Sequence, residues 1–454
     1  MKFFAILFLF IFVGNVSAFS GNTNPDTTSN LAQKTAATLL VEEAKHYYTE
    51  GNIREALSMF KQAEARDPES WKASYWVALS YYRLNNYTMA LKHVESARRK
   101  DTKVDADLHE LLGRCYHQNG LLDSALANYG RALNELSKQR AEDLHVWDKM
   151  EECRFAKSEI AKKKPFARKL VPGDVNTEFN EYAPVLTQNG SVLYFAARKT
   201  NTTGGLKNPD DEQFFEDIYC AKWNEQFKMW DSISNKIDRL NGPGFETFTY
   251  VNAENTHALL TLNTTQTDLE TKTESSDICE VDFKIDRWSK PKVISNKSIN
   301  TSYYDGSATM TADESMMVFV SDRNGETSSM DLFIVRKVGK KWGEAIPMPA
   351  HVNSIRRETT PYLTADGKFL FFSSDGHKGM GGYDVYVTQN NGGSWSKPVN
   401  LGASINTVND DTHFQYYQAL KRAVMAGITL DEMQCNYNIY DVNLSEAVLP
   451  ISLD

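Results

Sequence analysis

The sequence predicts an α+β chain in two parts, an all-α solenoid of paired helices followed by an all-β propeller. Two internal repeats carry that reading. In the first, Ala44, Tyr47, Ala56 and Ala63 return 34 residues later as Ala78, Tyr81, Ala90 and Ala97, then 35 later as Gly113, Tyr116, Ala125 and Ala132. In the second, an Asp leads two strand residues five times: Asp217-Ile218-Tyr219, Asp277-Ile278-Cys279, Asp331-Leu332-Phe333, Asp384-Val385-Tyr386 and Asp441-Val442-Asn443. Self-similarity at such periods marks units that bury their apolar faces on one another.

Residues 1–18 read as a secretory signal: Lys2, an apolar run from Phe3 to Val13, then Val16-Ser17-Ala18 with small residues at the cleavage positions. That run is too short to span a bilayer, and no later stretch approaches ~20 uninterrupted apolar residues. No Cys lies near the cleavage site, which argues against a lipid anchor there. The expectation is a chain secreted across the inner membrane, periplasmic or associated with the outer membrane, with no transmembrane segment. Residues 19–35, rich in Asn, Thr and Ser, read as a flexible lead.

Residues 36–162 carry the helical repeat. Small residues mark where paired helices approach closely, and Phe60, Val94 and Tyr129 take the large position of each second helix. This 34-residue pattern, with Pro68 ending its first unit, resembles the tetratricopeptide repeat. The stretch from Ala141 to Lys162 reads as a further helix covering the open end, stopped by Lys162-Lys163-Lys164-Pro165. In the family it resembles, ligands lie in the groove lined by the first helices. By position, that resemblance implies a partner-binding groove of Lys45, Tyr48, Lys72, Tyr75, Tyr82, Arg83, Arg114 and His117. Aromatic and basic side chains together suit an extended or acidic peptide. Lys45 stands at one of the Asn positions with which chaperone-binding members clamp a terminal carboxylate, so that ligand is disfavoured.

Residues 163–174 read as a linker, and 175–454 as the propeller. Each unit opens on an Asn-containing connector: Asn176-Thr177, Asn241-Gly242, Asn300-Thr301, Asn353-Ser354 and Asn406-Thr407. Hairpin dipeptides follow, typified by Asn189-Gly190 and Asp366-Gly367, then apolar runs such as Phe369-Leu370-Phe371-Phe372. The Asp-led strand and a Trp-Pro strand complete four strands per unit. The pattern resembles the TolB-type, WD40-like propellers of bacterial envelope proteins. Five units favour five blades; six stay open if residues 430–454 pair with Ala167 to Val171, with closure by a shared strand either way. Asp217, Asp277, Asp331, Asp384 and Asp441 read as structural, each starting a strand and accepting hydrogen bonds from the turn before it. The rival reading is a ring of acids binding cations in a central channel. The loop from Gly376 to Gly382 lacks a Lys-Ser/Thr and a following helix, so it reads as a flexible link and not a phosphate loop.

The formal net charge of −9 argues against sequence-blind nucleic-acid binding. Cys115, Cys153, Cys220, Cys279 and Cys435 form no metal-like pair and imply no disulfide framework. His109 and His117, eight apart, have no acidic or Cys partner that would make a metal site. The chain has no His-Glu-x-x-His, Gly-x-Ser-x-Gly or Rossmann glycine pattern, so neither catalysis, metal nor cofactor is expected.

Signal, helical repeats and propeller in this order resemble the front of Bacteroidetes envelope proteins that continue into an OmpA-like domain, some of them serving type IX secretion. The sequence stops at Asp454, so peptidoglycan anchoring is not carried over. What the resemblance implies is a non-catalytic scaffold that meets a protein or peptide of the cell envelope, in secretion or outer-membrane assembly. The alternative is a propeller that binds a glycan or peptide, or hydrolyses one with its loops.

Overall fold

The computed structural model describes residues 25–100, 105–208, 211–237, 239–263, 276–324, 330–430 and 435–451. The expected signal, residues 1–18, lies outside them. Helix α1 (Pro25–Thr49) begins within the stretch read as a flexible lead. It is followed by α2 (Ile53–Arg66), α3 (Trp71–Arg83), α4 (Tyr87–Lys100), α5 (Ala106–Gln118), α6 (Leu122–Glu135), α7 (Lys138–Asp143) and α8 (Val146–Ala161).

Helices α1 to α6 form three pairs. One left-handed residue sets the turn inside each: Gly51 (φ 90°), Asn85 (φ 57°) and Gly120 (φ 72°). It lets the next N–H reach back to the carbonyl of the repeated Tyr, from Asn52 to Tyr47, Asn86 to Tyr81 and Leu121 to Tyr116, each at 2.9 Å. The repeated alanines are fully buried where the helices touch. Gly113 replaces Ala in the third pair because a Cβ there would lie 2.5 Å from the Tyr129 ring. The terminal segment divides into α7 and α8, and α8 packs Val146, Met150, Cys153 and Ala156 on Leu122, Ala125 and Tyr129.

Five antiparallel sheets follow as five blades. Their inner strands are Glu181–Leu186, Glu246–Val251, Asp305–Met310, Glu358–Leu363 and Asp411–Tyr417. The second strands are apolar runs buried between blades, such as Met316–Ser321 and Phe369–Ser374. Third strands start at Asp217, Asp277, Asp331 and Asp384, and at Cys435 in blade five. The outer strand of blade five is Arg168–Leu170, which pairs with Val442, Asp441 and Tyr440. Three residues of the stretch read as a linker are therefore the strand that closes the ring, and the described residues form five blades without a sixth. Closing the ring this way leaves no free sheet edge at the seam.

The connector asparagines explain why the blades repeat. Each lies beside a residue of a blade's third strand, just after its start in four blades and mid-strand in blade five, and its side-chain oxygen accepts that residue's N–H: Asn241 from Ile218 at 2.8 Å, Asn300 from Ile278 at 2.8 Å, Asn353 from Leu332 at 3.0 Å, Asn406 from Val385 at 2.9 Å and Asn176 from Ile439 at 2.7 Å. The amide nitrogen of the same Asn donates to that residue's carbonyl. One side chain thus satisfies two buried backbone groups that the sheet leaves unpaired at a blade junction. Inner strands also share a bulge, with left-handed Ala183, Ser307, Thr360 and His413 at four of them, which bends these strands around the axis.

The helices and the propeller share a core. Met380 and Val408, in connections of blades four and five, are buried among the side chains of α6 and α8. Tyr87 packs on Ile428 and Tyr437. His117 of α5 approaches the carbonyl of Met380 at 2.8 Å. A carbonyl only accepts, so Nε2 carries the proton, and burial holds the imidazole down to about 4 in a neutral form. The glycine-rich loop is this docking point. A Cβ on Gly379 would lie 2.1 Å from a carboxylate oxygen of Asp384, and one on Gly381 would lie 2.9 Å from His117. The loop read as a flexible link is thus held by close backbone approach on both sides.

Candidate functional site

The repeated Asp residues sit in third strands, separated from the axis by two strands at roughly 4.8 Å each. They cannot line a central channel together. Asp217 is fully buried and accepts from Thr202 Oγ1 (2.9 Å), Thr203 N (2.8 Å), Thr203 Oγ1 (2.9 Å) and Asn235 Nδ2 (2.7 Å), so it fastens the loop before its strand. Asp384 accepts from the Met380 N–H, and burial beside Asp411 drives its carboxyl well above the usual carboxylate range. Asp331 takes Asn324 Nδ2 at 2.9 Å and, like Asp277, is half-buried. Asp441 is not the fifth member. It lies mid-strand and pairs with Arg422, whereas the position before the clamped Ile439 is Asn438. The Asp-Val-Asn phrase matched by composition while being out of register by three residues.

The acids nearest the axis are others: Glu181, Glu246, Asp305, Glu358 and Asp411, each the first residue of an inner strand and each buried. Four accept the N–H of the Thr or Ser after the connector Asn, four residues upstream: Thr177, Thr301, Ser354 and Thr407. Lys199, Arg323 and Arg168 neutralise Glu181, Asp305 and Asp411. Glu246 follows Asn241-Gly242 instead and has no Lys or Arg partner among the described residues. Burial, helped by Asp217 and Glu216, pushes its carboxyl up to about 8. The spacing of connector Thr/Ser and acid was present in the sequence and went unread. No group of three or more His, Cys, Asp or Glu that would hold a metal occurs among the described residues.

Inner-strand residues of all five blades, Val185, Tyr250, Met310, Tyr362 and Tyr417, wall a cavity of about 70 Å³. A second, of about 20 Å³, lies beside His413 and Ser307. Such volumes hold a water or a few, and exclude a sugar ring.

The groove residues divide into two sets. Tyr82, Arg114 and His117 lie toward the propeller, the first two half-buried and engaged with neighbours, the third buried. Tyr82 packs on Tyr87 and lies 4.7 Å from the Arg114 guanidinium, Arg114 is paired with the buried Glu110 at 2.9 Å, and His117 is sealed beneath Met380. Lys45, Tyr48, Lys72, Tyr75 and Arg83 remain in the open part. They are organised by Trp76, which the sequence reading passed over. Its ring stacks on Phe60 (5.4 Å), meets Tyr48 (5.3 Å) and Tyr75 (5.8 Å) edge-on, and carries Lys45 Nζ at 5.3 Å. Arg83 lies 5.7 Å from the Tyr48 ring. Burial raises the Tyr48 hydroxyl's pKa, so it stays a neutral donor. Lys45 already has Glu42 at 2.7 Å, whereas Arg83 and Lys72 are exposed and have no carboxylate within salt-bridge distance among the described residues.

Arg83 also lines a cleft of about 930 Å³ between the turns of the first two helix pairs and the loops of blade one. Its far wall holds Phe179, Lys207 and Phe214, with Arg198 locked to Asp211 by bonds of 2.6 and 2.9 Å. The groove therefore runs into a space bounded by both parts of the chain.

Comparison with known proteins bears on the helical part. Residues 41–102 and 78–141 each match the tetratricopeptide repeat model. The helical region is a tetratricopeptide-repeat solenoid. Among solved structures, the chain is similar to YrrB, a tetratricopeptide-repeat protein with an unusual peptide-binding site, at 20% identity over 31% of this chain and 69% of that one, with a TM-score of 0.25. It is similar to the first repeat domain of Spaghetti (RPAP3) bound to an HSP90 peptide, at 18% identity over 28% and 95%, TM-score 0.24. It is similar, too, to the Yersinia enterocolitica type III secretion chaperone SycD in complex with a peptide of the translocator YopD, at 17% identity over 30% and 99%, TM-score 0.24. A search of curated proteins finds no match.

Proposed function

We propose that this chain is a non-catalytic, exported scaffold that holds an extended segment of an envelope protein in its tetratricopeptide groove, with blade one as the far wall. The observation that carries this is the open array of Lys45, Trp76, Tyr48 and Arg83 running into the 930 Å³ cleft. Aromatic and Arg side chains on a rigid wall give contact area at low entropic cost and dominate interface energetics once desolvated. The unpaired Arg83 and Lys72 select a segment carrying Asp or Glu beside an apolar residue. The small volume of the cavity walled by the inner strands supports this reading over a glycan-binding or hydrolytic propeller. Secretion or outer-membrane assembly is the process the segment order suggests.

Selection of displayed random peptides on the immobilised full chain tests it. Enriched peptides should be acidic and aromatic, and Arg83→Ala with Lys72→Ala should weaken them about tenfold or more. Peptides indifferent to both substitutions, or turnover of a substrate by the purified chain, would reject the reading.

A further inference from the structure

A second site lies on the opposite side of the helical region, where α8 meets blade four. There a pocket of about 460 Å³ is bounded by four lysines, Lys162, Lys164, Lys378 and Lys397, against one carboxylate, Glu159. In a chain with a net charge of −9 this is a local reversal of sign. Glu159 is spent on Lys162, while Lys378 is held over the Phe155 ring at 5.4 Å. At the pocket floor Asn400 lies in hydrogen-bonding reach of the Tyr386 hydroxyl, neither that hydroxyl nor Asn400 Nδ2 has a partner beyond the other, and Tyr386 is only 2% exposed. A buried hydroxyl whose proton meets no acceptor is costly, and the loss is recovered when an acceptor reaches it. The two histidines of the wall, His351 and His377, each donate Nε2–H to a backbone carbonyl at 2.8 Å and do not turn that donor to the pocket.

We propose that this pocket binds a phosphate group carried on an apolar body. Lysine ammonium groups are compact charges suited to a phosphate approached from several directions, and the buried hydroxyl and amide supply donors at its base. Exposed apolar side chains adjoin the lining residues in sequence. Ile160, Phe166 and Val448, each within two residues of a pocket-lining position, are 52%, 51% and 43% exposed. A cluster of lysines flanked by exposed apolar side chains is also the form in which a protein surface meets anionic lipid. A phospholipid headgroup and a soluble phosphate ester share the chemistry.

The full chain is titrated with glycerol 3-phosphate by calorimetry and, separately, sedimented with phosphatidylcholine vesicles containing or lacking phosphatidylglycerol. The comparison variant is Lys378→Gln with Lys397→Gln, two exposed positions whose loss leaves the fold intact. The site is supported if the variant binds roughly tenfold or more weakly to whichever probe binds the native chain, with salt weakening both. Binding of the soluble ester alone identifies a free phosphate ligand. Binding of phosphatidylglycerol vesicles that Phe166→Ser weakens identifies a headgroup. No binding of either probe, or equal binding by the lysine variant, overturns the proposal.

Discussion

Replacing Asn406 by Ala removes the clamp at the junction of blades four and five. Three hydrogen bonds go: from Val385 N at 2.9 Å, to Val385 O at 3.0 Å and to Asn400 Oδ1 at 2.8 Å. Val385 is fully buried and Asn406 is 1% exposed, so water does not readily replace the lost partners. Each orphaned buried group costs about 1–3 kcal/mol, and the two backbone groups together about 3 kcal/mol. For a unit of about 280 residues, at roughly 2 cal/mol/K of unfolding entropy per residue, that corresponds to a fall in melting temperature of about 5 °C. Asn406→Asp should be as damaging, because it keeps the acceptor for Val385 N–H but turns an oxygen on the Val385 carbonyl. Thermal and urea unfolding of the purified chain measure both. A loss below about 1 kcal/mol for Asn406→Ala would refute the clamp as the element that fixes the blades.

Asp217→Ala should cost about 2–3 kcal/mol, because four donors lose their acceptor, whereas Asp441→Ala, which breaks a half-exposed pair with Arg422, should cost under about 1 kcal/mol; equal losses in denaturant titrations would restore Asp441 to the repeat. The pH dependence has two opposed parts. Glu246, pushed up to about 8, and Glu358 and Glu216, each up to about 7, favour the protonated folded state, so their contribution is complete below the ordinary carboxylate range and is lost as pH rises through 7 to 8. His117, held down to about 4, and His413, down to about 3, stabilise above 6.5 and lose that contribution as pH falls toward 4. The two oppose one another below 6.5, so the visible effect is a decline in melting temperature from pH 6.5 to 8. Glu246→Gln should flatten that decline, and an unchanged slope would count against the unpaired carboxylate as its source.

Both repeats were legible in the sequence because each is written in residues that pack or turn in only one way: alanines at helix contacts, and an Asn at each blade junction, before Thr or Ser at four of the five. The register of blade five was not, since Asp441 copies the composition of the phrase while the clamp at Ile439 places Asn438 there. The closing strand Arg168–Leu170 was weighed only as part of a sixth blade, because three residues carry no periodicity of their own. In the groove, the residue types were right but their exposure was not. Whether Tyr82, Arg114 and His117 are open depends on Met380 and Ile428, more than 260 residues from His117 or part of another repeat altogether, and no local pattern encodes that contact. Trp76 matches none of the repeated positions and was passed over; it is core on the Phe60 side and groove on the other.

Hydrogen–deuterium exchange of the full chain, with and without a selected acidic-aromatic peptide, tests the scaffold reading most directly. The account predicts protection in α1 and α3 and in the blade-one loop from Asp211 to Phe214, where groove and cleft meet. Protection confined to the hairpin turns around Gly190 and Gly367, with the helices unchanged, would contradict it.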